Sequence, residues 1–162
     1  MILKIGVTGH RFFLHEETVR QEVRKHLYQL KKSASDFEII SPLADGADML
    51  VAEEAMEILD AKLTVVLPFE LHEYKNTVIE KKRFNNLLLK SQNINVLLEE
   101  GSLNDVIKEQ QYYLCGKLIV DQCNVLIALY DGLPELGLGG TAQIVDYAYS
   151  KQKYIIRIDI KR

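Results

Sequence analysis

The feature that most constrains the fold of this sequence is its alternation of short apolar runs with longer amphipathic stretches. Several of the short runs are apolar at consecutive positions, as in strands that are covered on both faces of a sheet. The predicted strands are Ile2 to Val7, Phe37 to Ile40, Leu63 to Leu67, Ile94 to Leu97, Val125 to Tyr130 and Tyr154 to Ile158. Runs of this kind are typical of a buried parallel sheet.

The longer stretches repeat apolar residues at helical spacing. The stripes are Val19, Val23, Leu27 and Leu30, then Ala47, Val51, Ala55 and Ile58, and finally Thr141, Val145 and Ala148. A further helix is predicted from Asn104, as its N-cap, to Asp121. The segment Asn76 to Lys90 also favours a helix. Each of these helices separates two predicted strands.

Strands that alternate with helices pair in parallel through right-handed crossover connections. The predicted fold is therefore α/β, a three-layer sandwich with a mostly parallel sheet of five or six strands. The length of 162 residues suits one domain of ordinary size, and we assign residues 1–162 to it. Ligands of such sheets bind beyond the carboxyl ends of the strands, so the segments that follow the strands are the candidate site.

The composition narrows the class of partner. The chain has 20 basic and 23 acidic residues, a formal charge of −3, and no long block of either sign. Nucleic-acid binding driven by phosphate neutralisation normally needs a basic excess, so duplex nucleic acid is disfavoured as a partner. No apolar run approaches the roughly 20 residues that span a bilayer, and the N-terminus lacks a signal-peptide pattern. Two cysteines are too few for a disulfide framework, and we expect a cytoplasmic protein.

The segment that follows the first predicted strand combines a glycine with polar side chains. Gly9 allows a tight turn and a close approach of the main chain to a ligand. Thr8 offers a hydroxyl, and the guanidinium of Arg11 suits a phosphate or a carboxylate. His10 is either a base or a residue that makes a structural hydrogen bond. The alternative is an ordinary strand-to-helix turn with Arg11 in solvent.

The segment that follows the second strand, residues 41–48, also combines polar residues with a glycine. Ser41 and Asp45 are candidate caps, and Gly46 leaves main-chain amides exposed at the start of the next helix, a position that attracts anions. Asp45 is also a candidate acceptor for the hydroxyls of a ribose. After the third strand, Phe69 either lines a base pocket or plugs the start of the following helix.

The glycine-rich segment after the fifth strand is the strongest candidate for an anion site. Gly137, Gly139 and Gly140 precede the last predicted helix and would present several main-chain N–H groups to a phosphate. Thr141 is placed to cap that helix and to reach the same oxygens. The segment is not a Walker A motif, which needs a lysine followed by Ser or Thr after its last glycine. An ATPase of that class is therefore disfavoured.

Four segments taken together resemble the SLOG superfamily. They are Gly6-Val7-Thr8-Gly9-His10-Arg11, Ser41-Pro42-Leu43-Ala44-Asp45-Gly46-Ala47-Asp48, Leu67-Pro68-Phe69 and Gly137-Leu138-Gly139-Gly140-Thr141-Ala142. The superfamily includes the DprA-like domain, the YpsA-like proteins and the LOG proteins, and the resemblance extends from Ile2 to about Ile158. It implies a Rossmann-like fold that binds nucleotides or nucleotide derivatives. In this picture residues 137–141 hold phosphate, and the first two segments complete the pocket.

One position departs from the pattern of the LOG-type members. These proteins hydrolyse the N-glycosidic bond of nucleoside monophosphates, and their motif has acidic residues two and three places after its threonine. Here those positions hold Gln143 and Ile144. The Gln143 amide can bond to a ribose but cannot act as the base of a glycosidase. A hydrolase would need another carboxylate, and the candidates are Asp45, Asp48, Glu73 and Asp131.

Three functions remain open from the sequence. We favour a module that binds or senses a small nucleotide ligand without turning it over. The alternatives are a nucleotide N-glycosidase, similar to LOG proteins or nucleoside deoxyribosyltransferases, and a DprA-like module that binds single-stranded DNA. The four histidines (His10, His15, His26 and His72) show no metal-ligand spacing, so we expect no metal and no cofactor beyond the nucleotide. A homo-oligomer is compatible with the sequence.

Overall fold

Strands and helices alternate along the chain in the predicted order. The computed structural model of the protein describes residues 1–134 and 139–162. The strands are β1 (Ile2–Gly9), β2 (Asp36–Ser41), β3 (Lys62–Leu67), β4 (Asn93–Val96), β5 (Val125–Tyr130) and β6 (Tyr154–Asp159). The helices are α1 (Glu16–Leu30), α2 (Ala47–Leu59), α3 (Leu71–Lys75), α4 (Lys81–Lys90), α5 (Asp105–Gln122) and α6 (Thr141–Ser150). Every predicted strand is present, with each end within two residues of its predicted position.

All six strands belong to one sheet, in the order β4-β3-β2-β1-β5-β6, and every neighbouring pair is parallel. This confirms the predicted α/β fold with a parallel sheet. The strand order reverses at β1, which has β2 on one side and β5 on the other. Ile5 of β1, for example, lies opposite Ile39 and Val125. A crevice for a ligand is expected at such a reversal point.

The helices cover both faces of the sheet, which makes three layers. Adjacent residues of a strand point to opposite faces. Ile5 packs in the apolar cluster that contains the stripes of α1 and α2. The next residue, Gly6, faces α5 instead, because a Cβ on Gly6 would lie 2.8 Å from the Ile119 side chain. On that second face, Ile144 of α6 packs with Val120 of α5.

The predicted apolar stripes of α1, α2 and α6 are buried against the sheet. Leu27 of α1 is fully enclosed, and burial of such a side chain contributes about 1.5 to 3 kcal/mol relative to exposure. The predicted start of α5 is also confirmed, since the Asn104 side chain accepts a hydrogen bond from the Ile107 N–H at 2.9 Å. Among the described residues, no helix is long and apolar enough to cross a membrane.

One predicted helix is wrong in its extent. The segment Asn76 to Lys90 is not a single helix, because α4 begins only at Lys81 and the preceding α3 ends at Lys75. The Asp45 carboxylate accepts hydrogen bonds from the main-chain N–H groups of Ile79 and Glu80. Amides held by a distant carboxylate are not available to the carbonyls of a preceding helical turn, so residues 76–80 form a connection.

Candidate functional site

The segments that follow β1, β2 and β3 meet at the carboxyl edge of the sheet and border a cavity of about 550 Å³. Helix α5 and the first residues of α6 complete the described walls. The cavity lies where the general rule for open α/β sheets predicts a ligand, beside the strand at which the order reverses. Its volume falls within the range of roughly 300 to 1,000 Å³ that is typical of small-molecule sites.

The end of β1 and the segment after it contribute all four of the residues predicted there, Thr8, Gly9, His10 and Arg11, to the cavity wall. Arg11 is held by its surroundings, since its Nη1 donates to the Thr77 carbonyl at 2.8 Å and lies 4.0 Å from an Asp45 carboxylate oxygen. A guanidinium carries five N–H donors, so this anchoring leaves donors for a ligand. Arg11 is therefore not a solvent-directed side chain of a simple turn.

His10 lies against a carboxylate from the end of β5. Its Nε2 is 3.3 Å from Asp131 Oδ1, and Arg162 Nε donates to Asp131 Oδ2 at 2.7 Å. The bond from Arg162, together with one from the Leu133 N–H, lowers the pKa of Asp131 to about 2. A carboxylate this acidic is a poor general base at neutral pH. Asp131 is thus better suited to orient His10 than to catalyse hydrolysis by itself.

Ser41 and Asp45 are buried and are not among the described residues that line the cavity. Ser41 Oγ donates to the Asp48 carbonyl and accepts from the Leu43 N–H. The Asp45 carboxylate is 3% exposed and accepts from the amides of residues 79 and 80 at 2.9 and 3.0 Å. The predicted cap of α2 by Asp45 is wrong, because its carboxylate bonds to these distant amides instead. Its contact with a ribose stays a prediction.

The main chain of the segment after β1 packs over the start of α2. Gly46 occupies the N-cap position with φ of +78°, and a Cβ there would lie 2.2 Å from the Arg11 carbonyl oxygen. The Ala47 N–H donates to the His10 carbonyl at 3.2 Å. The prediction that Gly46 leaves amides of α2 exposed to an anion is therefore wrong for the Ala47 N–H, which a carbonyl from the same wall already occupies.

The glycine-rich segment reaches the cavity at the start of α6. Gly137 lies outside the described residues, whereas Gly139, Gly140 and Thr141 line the cavity. Gly140 is the N-cap of α6 and Thr141 is its first helical residue, so the predicted capping role of the Thr141 hydroxyl is wrong. In the described part of the chain, the N–H groups of Gly140 and Thr141 donate to no protein acceptor.

Gln143 supports this segment from within α6. Its Oε1 accepts a hydrogen bond from the Gly139 N–H at 2.6 Å. One amide that the sequence assigned to a phosphate is thus already paired, and Gln143 does not line the cavity. Gly139 itself has φ of +86°, and a Cβ would lie 2.7 Å from the Tyr113 main-chain nitrogen of α5. The close approach that requires this glycine is to α5 rather than to a ligand.

Asp48 is the candidate carboxylate that the structure brings into the described cavity wall. It is 7% exposed, and its Oδ2 accepts from the Ala44 N–H at 3.2 Å. Burial raises its pKa to about 7, although the Ala44 bond and the nearby Arg11 guanidinium oppose the shift. At neutral pH a substantial fraction of this carboxyl is therefore protonated.

Several further side chains of the cavity wall were not assigned to it from the sequence, among them Tyr74 of α3, Tyr112 and Cys115 of α5, and Arg162. The α5 residues reach the site because α5 crosses from one edge of the sheet to the other side of β1, which no local pattern indicates. Cys115 is buried, its thiol lies 3.4 Å from the Val66 carbonyl, and burial raises its pKa. Phe69 is fully buried in the core and acts as a plug rather than as a base platform.

Glu73, the remaining candidate carboxylate, lies on α3 but does not line the described part of the cavity. Its main-chain N–H donates to the Glu70 side chain, which caps α3. Within residues 1–134 and 139–162, no group of three or more His, Cys, Asp or Glu side chains is arranged to hold a metal ion.

No protein-family model matches the chain, and no curated protein sequence matches it. Solved structures do match its fold. One is DNA processing protein A from Helicobacter pylori, described with its single-stranded DNA binding mode, with a TM-score of 0.67 and 17% identity over 96% of this chain and 64% of that chain. The present chain thus spans less than two thirds of the length of that protein.

The molybdenum cofactor carrier protein of Chlamydomonas reinhardtii is a second structural match. Two of its structures give TM-scores of 0.51 and 0.52 at 18% and 15% identity, over 98% and 97% of this chain and 76% of each of the other chains. At these identities the similarity concerns the fold alone. The chain has the Rossmann-like α/β fold that these ligand-binding proteins share.

Proposed function

We propose that the protein is a single SLOG-like domain that binds a nucleotide or a small molecule derived from one. The observation that carries this proposal is the meeting of two positive groups at one cavity. The Arg11 guanidinium and the amino-terminal end of α6, at Gly140 and Thr141, both line it. Anionic oxygen atoms are the ligands that such groups select.

The start of α6 is the proposed phosphate position. The first turn of a helix carries unpaired N–H groups and the positive end of the helix dipole. The amides of Gly140 and Thr141 have no acceptor in the described residues, whereas the Gly139 amide is bonded to Gln143. A phosphate would therefore be held by the two former amides, with Arg11 as a charged partner.

The rest of the cavity suits an aromatic heterocycle. Tyr112, Ile119 and Ile144 are among the residues that line it. Such walls, with a few polar groups, are typical of sites for small organic ligands. The structural similarity to a cofactor carrier and to a single-stranded DNA-binding protein supports a ligand-binding role for this fold.

We expect Arg11→Gln to weaken the binding of AMP about tenfold to a hundredfold, because a charge-assisted hydrogen bond to phosphate contributes about 1.5 to 3 kcal/mol. The measurement is isothermal titration calorimetry at constant ionic strength, with GMP, CMP and UMP as further probes. Lys82→Gln is the matched control, since it removes one positive charge from an exposed position of α4 that does not line the cavity.

Equal weakening by Lys82→Gln would show that net charge, and not a contact with Arg11, attracts the nucleotide. The absence of binding by all four nucleotides would refute the proposal. Thermal melts and circular dichroism of each variant check that the fold is retained, because Arg11 also bonds to the Thr77 carbonyl.

A nucleotide N-glycosidase is the second candidate function, and Asp48 is the observation in its favour. A buried carboxyl with a pKa of about 7 suits proton transfer to a leaving base. Incubation with AMP, IMP and dAMP, followed by chromatography, detects a released base. Release by the native protein that is lost in Asp48→Asn would favour the hydrolase over a module without turnover.

Single-stranded DNA is the third ligand that the experiments must distinguish. The formal charge of −3 disfavours it, whereas the structural similarity to DNA processing protein A supports it. A fluorescent oligonucleotide titrated at increasing salt tests this function, because contacts with phosphates make affinity fall steeply with salt. Tight, salt-sensitive binding without binding of mononucleotides would favour the DNA-binding module.

A further inference from the structure

Two buried polar side chains of the cavity carry oxygen atoms that have no hydrogen-bond partner among residues 1–134 and 139–162. Within that part of the chain, the Asp48 carboxyl makes one hydrogen bond, which Oδ2 accepts from the Ala44 N–H. Tyr74 is 1% exposed, and its hydroxyl bonds to none of the described residues. No fully enclosed side-chain N or O atom of the described residues lacks a partner, so these unpaired oxygens open onto the cavity that both residues line.

Buried polar groups in folded proteins are nearly always hydrogen-bonded. Two unpaired oxygens that open onto one cavity therefore point to a ligand that supplies the missing partners. Neither group belongs to the proposed phosphate position, which Arg11, Gly140 and Thr141 form. Asp48 and Tyr74 are thus available for another part of the same ligand.

The surroundings of Asp48 favour the protonated form that donates a hydrogen bond. The charged and titratable groups that line the same cavity or act on Asp48 are Arg11 and His10 after β1, Asp45 before α2, Tyr74 of α3, Tyr112 and Cys115 of α5, and Arg162 after β6. Burial outweighs the attraction of Arg11 and raises the pKa of Asp48 to about 7, while burial and the proximity of Asp48 raise the pKa of Tyr74. At pH 7 the Tyr74 hydroxyl is therefore an O–H donor, and the Asp48 carboxyl is one in about half of the molecules.

An anionic ligand strengthens this preference. A phosphate held by Arg11 and the start of α6 brings a further negative charge into the cavity that Asp48 lines. A nearby like charge disfavours the ionised carboxyl. Occupation of the phosphate position therefore shifts Asp48 toward its protonated form.

We propose that Asp48 and Tyr74 recognise the base of the nucleotide, and that binding is coupled to the uptake of a proton by Asp48. Both O–H groups donate to acceptor atoms of the base, a carbonyl oxygen or an unprotonated ring nitrogen. The inference rests on the proposed function, because it assigns the specificity of the same site.

The proton uptake is measured by calorimetry of AMP and GMP binding at pH 7 in two buffers of different ionisation enthalpy. The native protein is expected to take up about half a proton more than Asp48→Asn, since a group with a pKa of about 7 is half protonated there. Asp48→Asn keeps a neutral side chain of the same shape. Asp146→Asn, at an exposed position of α6, is the matched control and should behave as the native protein.

The pH dependence of affinity gives a second readout. From pH 6 to pH 8, the affinity of the native protein for the nucleotide should fall about tenfold relative to that of Asp48→Asn, because only the protonated carboxyl donates. Taking the ratio of the two affinities cancels the effect of the titration of the nucleotide's own phosphate, which is the same for both proteins. A ratio that stays constant with pH would overturn the proton coupling.

Tyr74→Phe tests the contact with the base. We expect it to weaken the binding of at least one of AMP, GMP, CMP and UMP about tenfold, and to leave the binding of ribose 5-phosphate unchanged. Tyr149→Phe, at an exposed position of α6, is the control. Equal weakening for ribose 5-phosphate would overturn the assignment of Tyr74 to the base.

The failure of the two proposals can be told apart. If neither the nucleotides nor ribose 5-phosphate bind to the native protein, the proposed function fails and this inference fails with it. If they bind and Asp48→Asn leaves the proton uptake unchanged, the site exists and the inference alone is wrong.

Discussion

Gly46→Ala is expected to lower the free energy of unfolding by at least about 4 kcal/mol, which is an exceptional loss for one methyl group. The added Cβ would lie 2.2 Å from the Arg11 carbonyl oxygen and 2.7 Å from that of His10, at a φ of +78°. The neighbours are main-chain atoms and cannot rotate away. Urea unfolding followed by far-UV circular dichroism measures the loss, since the chain has no tryptophan.

Gly101→Ala is the matched control for Gly46→Ala. Gly101 also has a positive φ, of +118°, but a Cβ there would meet no atom within 4 Å. This variant therefore isolates the strain of the main chain, about 1 to 2 kcal/mol, from the steric clash. Equal losses in the two variants would contradict the packing of the His10–Arg11 main chain over the start of α2.

Asp48→Asn is expected to stabilise the protein at alkaline pH. The pKa of Asp48 is raised from 3.8 to about 7 by burial, so between these values the folded state binds more protons than the unfolded state. The free energy of unfolding of the native protein therefore decreases as the pH rises through this window. Asparagine does not titrate, so the advantage of the variant should grow by about 2 to 3 kcal/mol from pH 5 to pH 8.

Urea unfolding of Asp48→Asn and the native protein at pH 5, 6, 7 and 8 tests this growth. The difference between the two proteins is the informative quantity, because the other titrating groups are common to both. Asp146→Asn, on an exposed part of α6, should show a difference that does not change with pH. A constant difference for Asp48→Asn as well would show that its carboxyl ionises in the fold as easily as in water.

The six strands could be predicted because each is a short, mainly apolar segment between helical patterns, and a fully buried strand such as β5 leaves no polar position. Helix α5 was predicted through its N-cap, Asn104, although its apolar residues form no clear stripe. The extent of α4 could not be predicted, because the carboxylate that interrupts the helical pattern at residues 79 and 80 belongs to Asp45, 34 and 35 positions earlier.

The structure has a cavity at the predicted edge of the sheet, and only some of the residues predicted for the site line it. Thr8 to Arg11 and Gly139 to Thr141 line the cavity because they lie at or beyond the carboxyl ends of β1, where the strand order reverses, and of its neighbour β5. Ser41 ends β2 and Asp45 follows it, but their polar side-chain atoms are bonded to the protein. A polar residue after a strand can serve either the turn or the ligand, and both uses require the same residue types.

The sequence alone determined the order of strands and helices, the parallel sheet and the edge of the sheet at which a ligand would lie. These features follow from the apolar periodicity within each segment and from the right-handed crossover between successive parallel strands. The tertiary structure decided which side chains face the cavity and in which protonation state. His10 meets Asp131 across 121 positions of the chain, and Asp48 owes its raised pKa to burial by several elements. Burial and distance between remote residues exist only in the folded molecule, so no local pattern contains them.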